Sequence, residues 1–210
     1  MASLSRMVLR VASIRQMNLQ HVDAKLVTYR GRRAIRLQES HHEGGDVQSI
    51  AVLPCPGFTD GSIEISLVGI PRRGAPGFAR GFVGIAFHVQ PDASRLEAFF
   101  LRPTNSRAED QLRRNHSTQY MSHPDYPWFR LREESPGVYE SYVDLPLGAW
   151  TPVKIVVDGS RASLFVSGAT QPCLIVNDLK WGRVAGQIAL WVGSGTLAYF
   201  STRLVLRRAP

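Results

Sequence analysis

Cysteine is nearly missing from this chain. Cys55 and Cys173 stand far apart, and neither has a Cys-x-x-Cys partner, which argues against a thiol metal site or a redox motif. They read as buried free thiols, and no disulfide between them is required. Lysine is equally scarce, at positions 25, 154 and 180 alone, so the 25 basic residues that outweigh 17 acidic ones are almost all arginine. A net charge of +8 suits nucleic acid, an anionic glycan or an acidic surface. Nucleic acid is disfavoured, because the arginines are scattered and no zinc-finger, helix-turn-helix or RNP-type pattern occurs. No apolar run approaches the eighteen or so residues of a membrane helix, so no membrane partner is expected. The N-terminal stretch also lacks an unbroken apolar region, since Arg6, Arg10 and Arg15 interrupt it. Its arginine-rich, acid-free composition has something of a transit peptide. The expected location is cytoplasmic, or else undefined.

Catalytic signatures are missing too. There is no G-x-G-x-x-G, no P-loop and no G-x-S-x-G, which sets aside a nucleotide cofactor and an ordinary serine hydrolase. No D-x-[DN]-x-[DN]-G loop appears, and His41 and His42 look like a surface pair rather than zinc ligands. No metal is expected to be required; calcium would have to draw on Asp60, Asn105 or Asp110.

Strands fill most of the chain after residue 20. Segments such as RRAIRLQE, GSIEISLVGI, GFVGIAFHVQ, LEAFFLRP, GVYESYVDLP, WTPVKIVVDG, RASLFVSG, GQIALWVG and LAYFSTRLVLR are short and rich in Val, Ile, Phe and Tyr. Gly, Pro, Asp or Ser separates most of them. In GSIEISLVGI, Ile63, Ile65 and Leu67 alternate with Glu64 and Ser66, the pattern of a half-buried antiparallel strand. Asp158-Gly159-Ser160 reads as a tight hairpin turn. No segment has convincing helical periodicity, and no linker or internal repeat is visible. The expectation is an all-β sandwich in one domain over 1–210, with residues 1–20 as an N-terminal extension or a first strand.

Residues 103–136 interrupt the rhythm. This gap contains RRNHSTQYMSHPDYPW, residues 113–128, dense in aromatic and hydrogen-bonding side chains with a single carboxylate. Loops beyond about 12–15 residues inside compact domains are usually functional or disordered, and this composition argues against disorder.

From about Phe58 onward the chain resembles the concanavalin A-like lectin/glucanase superfamily. FTDGSIEISLVG, RGFVGIAFHV, LEAFFLRP, WTPVKIVVDGSRASLFVSG and GQIALWVGSGTLAYFSTRLVL carry the resemblance, over roughly three quarters of the chain. Their order is similar to the laminin-G-like and 3-keto-disaccharide hydrolase branch. The resemblance implies a jelly-roll sandwich of two antiparallel sheets, one concave, with glycans bound or cleaved on the concave face. The 103–136 segment would then be a long insertion folded over that face.

Fold alone does not choose a chemistry. The E-x-D-x-E triplet that the resemblance implies for a glucanase is missing, and a retaining glycosidase needs two carboxyl groups about 5–5.5 Å apart. Glu140 and Asp144, flanking Tyr142, form the best local pair. The Q-I-H and Y-F-K-x-G strands of lyases are missing as well, although the residue types suit proton abstraction beside a neutralised carboxylate. His116 is the candidate base, with Tyr120 or Glu140 as acid. The third class is a non-catalytic carbohydrate-binding module. Arg102, Arg107 and Arg114 would supply forked hydrogen bonds, and Asn105, Asn115 and Gln119 would orient the ligand. Tyr120, Tyr126, Trp128 and Trp191 would stack on sugar rings, whereas Trp150 and Trp181 look structural. Pro103, Pro124 and Pro127 would hold the insertion extended. The expected partner is a carbohydrate or similar polyhydroxylated small molecule, and the oligomeric state is left open. A purely structural, non-catalytic interaction domain is a further alternative.

Overall fold

The protein was analysed as a computed structural model, described here for residues 5–40 and 48–209; His41 and His42 lie outside the described residues. The chain forms a two-layer β-sandwich. The strands are β1 (Ser5–Arg10), β2 (Asn18–Gln20), β3 (Val22–Tyr29), β4 (Arg32–Glu39), β5 (Ile50–Val52), β6 (Gly61–Pro71), β7 (Val83–Val89) and β8 (Leu96–Leu101). They continue with β9 (Thr118–His123), β10 (Glu140–Ser141), β11 (Thr151–Asp158), β12 (Arg161–Val166), β13 (Leu174–Val176), β14 (Gln187–Val192), β15 (Thr196–Ser201) and β16 (Arg203–Arg208). Three short helices, α1 (Pro103–Ser106), α2 (Gln111–Asn115) and α3 (Trp128–Glu134), all fall between β8 and β10.

A nine-stranded sheet runs β13-β12-β11-β6-β15-β4-β3, with β16 pairing β6 and carrying β1 on its other edge. The second sheet has seven strands in the order β10-β9-β8-β7-β14-β5-β2. Every pairing is antiparallel. Residues 1–20, expected as an N-terminal extension or a first strand, supply β1 to the larger sheet and β2 to the smaller. LAYFSTRLVLR is two strands, divided at Thr202, which both pair β6 but differ in their other neighbour, β4 for β15 and β1 for β16.

Alternation builds the core. Ile63, Ile65 and Leu67 point inward from β6, and Val153, Ile155 and Val157 meet them from β11. Asp158 and Arg161 close the β11–β12 hairpin, with Gly159 at a φ of 59° as the turn demands. From the smaller sheet, Phe87, Phe99, Tyr120 and Tyr139 form a row of rings with successive centroids 6.1, 5.6 and 5.7 Å apart.

The 103–136 segment departs from expectation. It is not one insertion laid over a sheet, because residues 118–123 are a strand of the sheet itself, paired with β8 and β10. Nor do its prolines keep it extended: Pro103 opens α1 and Pro127 precedes α3. GVYESYVDLP, conversely, contributes two strand residues. Its remainder is tied down by serine side chains: Val143 N–H donates to Ser117 Oγ at 2.7 Å and Leu145 N–H to Ser106 Oγ at 3.0 Å.

Candidate functional site

The outer face of the seven-stranded sheet carries a second apolar cluster, separate from the core between the sheets. Its floor is made of small residues, Ala86, Ala98 and Ala189, bordered by Leu96, Phe100, Met121 and Trp191. Gln48 reaches across this floor. Its Oε1 accepts from Trp191 Nε1 at 2.9 Å, and its Nε2 lies 3.2 Å from His123 Nδ1.

One end stays open. A cavity of about 270 Å³ lies between Phe78, Phe82, Phe100, Trp128, Phe129 and Trp191. Register explains its back wall. Gly84 of β7 sits directly between Phe100 of β8 and Trp191 of β14. With no side chain between them, the two rings close to 4.8 Å between centroids. The front wall comes from the neighbouring turn, where Ser122 and Tyr126 pair through their backbones and bring the chain back to start α3 at Trp128. Trp128, Phe129 and Phe78 are 39, 57 and 59% exposed, a concentration of bare aromatic surface at one place on the sandwich. The rim is polar: Ser194 Oγ donates to Glu39 Oε1 at 3.0 Å, and both residues line the cavity.

Arg102 supports the front wall. Its guanidinium lies 4.8 Å from the Phe100 centroid and 5.2 Å from that of Trp128. Burial, reinforced by Arg132, pulls its pKa down to about 9, so it remains charged at neutral pH. Gln119 organises this cation. Its Oε1 accepts from Arg102 at 3.1 Å and from Arg132 at 3.5 Å, while its Nε2 donates to the carbonyls of Tyr120 and Tyr139. Arg132 in turn clamps Glu140, with Nη2 donating at 2.7 Å, and its guanidinium lies 4.8 Å from the Trp128 ring centroid.

Glu140 leads to a second recess of about 530 Å³, lined by Asn115, His116, Arg132, Glu140, Ser141 and Tyr142 among others. His116 Nε2 lies 3.0 Å from Glu140 Oε1. Burial lowers the His116 pKa, outweighing the opposite pull of Glu140. The neutral ring is therefore the favoured form at neutral pH.

The remaining candidates disperse. Tyr120 lies on the inner face and is fully buried; its hydroxyl donates to Glu97 at 2.7 Å and accepts from Lys180 N–H at 3.1 Å. Glu97 also faces His88 Nδ1 at 2.7 Å, and His88 Nε2 lies 3.0 Å from the Thr59 carbonyl. This enclosed His–Glu–Tyr network has no route to a ligand in the outer cavity, so Tyr120 is neither a stacking wall nor a proton donor there. Asn105 is buried and donates to the His116 carbonyl at 3.3 Å. Arg107 forms a two-pronged surface pair with Asp144, and Arg114 bonds Tyr142. The Glu140–Asp144 pairing does not form: each carboxylate is held by a different arginine. Tyr126 lies at the sheet edge under Arg130 and Lys180. Asn115 accepts from Gln111. Trp150 and Trp181 anchor backbone carbonyls of Tyr29 and His123.

Asp60 pairs with Arg183, and Asp110 caps α2, so neither converges with Asn105 on a cation site. Among the described residues no cluster of His, Cys, Asp or Glu side chains could hold a metal ion, and no helix is long and apolar enough to cross a membrane. Sequence reasoning missed Phe78, Phe82 and Phe100. Two phenylalanines in the turn-rich PRRGAPGFARGF loop were the available signal, since such loops seldom spend aromatics without a surface to cover.

No family model matches this chain, and no curated protein matches it by sequence. Solved structures do match its shape. A protein of unknown function with a galectin-like fold from Bacillus subtilis aligns over all of both chains, with 13% identity and a TM-score of 0.58. A carbohydrate binding module from Bacillus subtilis aligns over 89% of this chain and 95% of its own, with 12% identity and a TM-score of 0.55. The lectin of Bauhinia forficata, in complex with GalNAc, aligns over 98% of both chains, with 13% identity and a TM-score of 0.54. At these identities the likeness concerns architecture: the chain has the fold of the concanavalin A-like sandwiches.

Proposed function

We propose that this protein binds carbohydrate, or a similar polyhydroxylated small molecule, in the aromatic cavity on the outer face of its seven-stranded sheet. The carrying observation is the cavity itself. Trp128, Phe129 and Phe78 present exposed aromatic surface for the apolar side of a sugar above the nearly buried Phe100–Trp191 pair, and Glu39, Ser194 and Gln48 line its polar edge. Ligand cavities usually span roughly 300–1,000 Å³, so about 270 Å³ suits one sugar ring rather than a long chain. Sugar-binding proteins among the structural neighbours support the reading. The segments that carry the resemblance to the laminin-G-like and 3-keto-disaccharide hydrolase branch contribute Phe82, Phe100, Trp191 and Ser194 to the cavity, as wall and rim rather than as a catalytic set.

The test is a glycan panel measured by calorimetry against the protein and its Trp128→Ala variant. Loss of one stacking face should weaken binding roughly tenfold, on the order of 1–1.5 kcal/mol. Absence of binding across the panel, or affinity indifferent to Trp128→Ala, would reject the cavity.

A catalytic second reading rests on the His116–Glu140 contact in an open recess. It requires turnover of a bound glycan that His116→Ala abolishes while binding persists. Both oxygens of Glu140 already accept from Arg132, so binding is the stronger reading.

A further inference from the structure

Several arginines stand on the face opposite the aromatic cavity. Met7, Leu9, Leu204 and Leu206 pack on the core, so Arg6, Arg10, Arg203 and Arg207 point outward from the nine-stranded sheet. The register sets them against each other: Arg6 faces Arg207 and Arg10 faces Arg203. At the other end of the same face Lys25 is opposite Arg36. Like charges directly opposite across an antiparallel pair are destabilising, and this face repeats the arrangement. Glu64 pairs with Arg207. No carboxylate among the described residues pairs with Arg6, Arg10 or Arg203.

The face is also hollowed. A groove of about 660 Å³ is lined by residues of β16, β6, β11 and β12, including Arg203, Val205, Glu64, Lys154 and Phe165. Lys154 Nζ lies 5.4 Å from the Phe165 centroid.

We propose that this groove, with the arginine pairs of β1 and β16 beside it, binds an acidic polysaccharide bearing carboxylate or sulfate groups. Guanidinium pairs stand at two levels, four residues or about 13 Å apart along the strands. A linear chain carrying an anion every sugar or two reaches Arg6 at one level, where Glu64 already holds Arg207, and relieves the Arg10–Arg203 repulsion at the other. Guanidinium forks match the planar and tetrahedral oxyanions of such sugars. Single-stranded nucleic acid would need a series of stacking rings, and Phe165 is the single aromatic lining the groove among the described residues. A bilayer would meet a flat face better than a hollow one.

The experiment measures retention of the full chain on immobilised heparin and on polygalacturonate, with dextran as the neutral control. Retention on at least one polyanion and not on dextran is expected, falling steeply with salt. The Arg10→Gln/Arg203→Gln double variant should bind roughly tenfold more weakly, with an unchanged or higher melting temperature because a like-charge pair is gone. Trp128→Ala should leave polyanion retention unaltered, which separates this groove from the sugar cavity. Three results would overturn the proposal: no retention at low salt, retention indifferent to the double variant, or tighter binding to oligo-dT or phosphatidylserine vesicles than to either polysaccharide.

Discussion

Replacing Tyr120 by Phe removes one hydroxyl from the centre of the sandwich and nothing from its surface. That hydroxyl donates to Glu97 at 2.7 Å and accepts from the Lys180 N–H at 3.1 Å. A hydrogen bond to a charged partner is worth about 1.5–3 kcal/mol net, and an orphaned buried donor costs a further ~1–3 kcal/mol. Glu97 keeps its contacts with His88 and with the Trp181 N–H at 3.3 Å, and Lys180 is partly exposed, so water can reach its amide. Both facts favour the low end, a loss of about 2–3 kcal/mol. For a chain of this size that is roughly 5–10 °C in melting temperature. Urea unfolding followed by tryptophan fluorescence reads the change directly. Glycan affinity should stay within about twofold, because the hydroxyl faces away from the cavity. A stability change under about 1 kcal/mol, or lost affinity in a fully stable variant, would refute the assignment of Tyr120 to the core network.

Gly84→Ala should cost about 3 kcal/mol or more and abolish glycan binding, because its Cβ would lie 2.3 Å from the Phe99 carbonyl oxygen and 2.7 Å from Phe100 Cβ; denaturation and calorimetry report both effects. His116 is held below its ordinary pKa by burial, so the unfolded chain binds the proton more readily. Its contribution to stability is present above pH about 6.5 and declines as pH falls below it. Urea midpoints between pH 7.5 and 5 should therefore fall less in His116→Gln than in the parent. Arg107→Ala should leave the midpoint unchanged within error, since its pairing with Asp144 is solvent-exposed on both sides.

The strands that were legible in the sequence are those with apolar residues on one face and polar residues on the other. GSIEISLVGI and WTPVKIVVDG show it, because burying one face of a sheet imposes a period of two. TQYMSH was not legible. Its inward positions are Thr118, Tyr120 and Ser122, and its outward ones are Gln119, Met121 and His123, so neither face looks apolar. It becomes a strand because β8 and β10 supply its backbone partners and Glu97 satisfies Tyr120. The short helices around it escaped for another reason. None of the three exceeds seven residues, too short for helical periodicity to emerge.

For the site, the sequence by itself determined the inventory: an arginine- and aromatic-rich segment between two strands of a β-sandwich, with Trp128 in it and Arg102 just before it. Only the tertiary structure decided what that inventory does. Sheet order brought Phe100, Gly84 and Trp191 side by side from positions scattered over 108 residues, from 84 to 191. Strand parity turned Gln119 outward to hold Arg102 and turned its neighbour Tyr120 inward to hold Glu97. A one-residue step along a strand reverses the face of a side chain, and which face meets solvent is set by partners that lie far away along the chain.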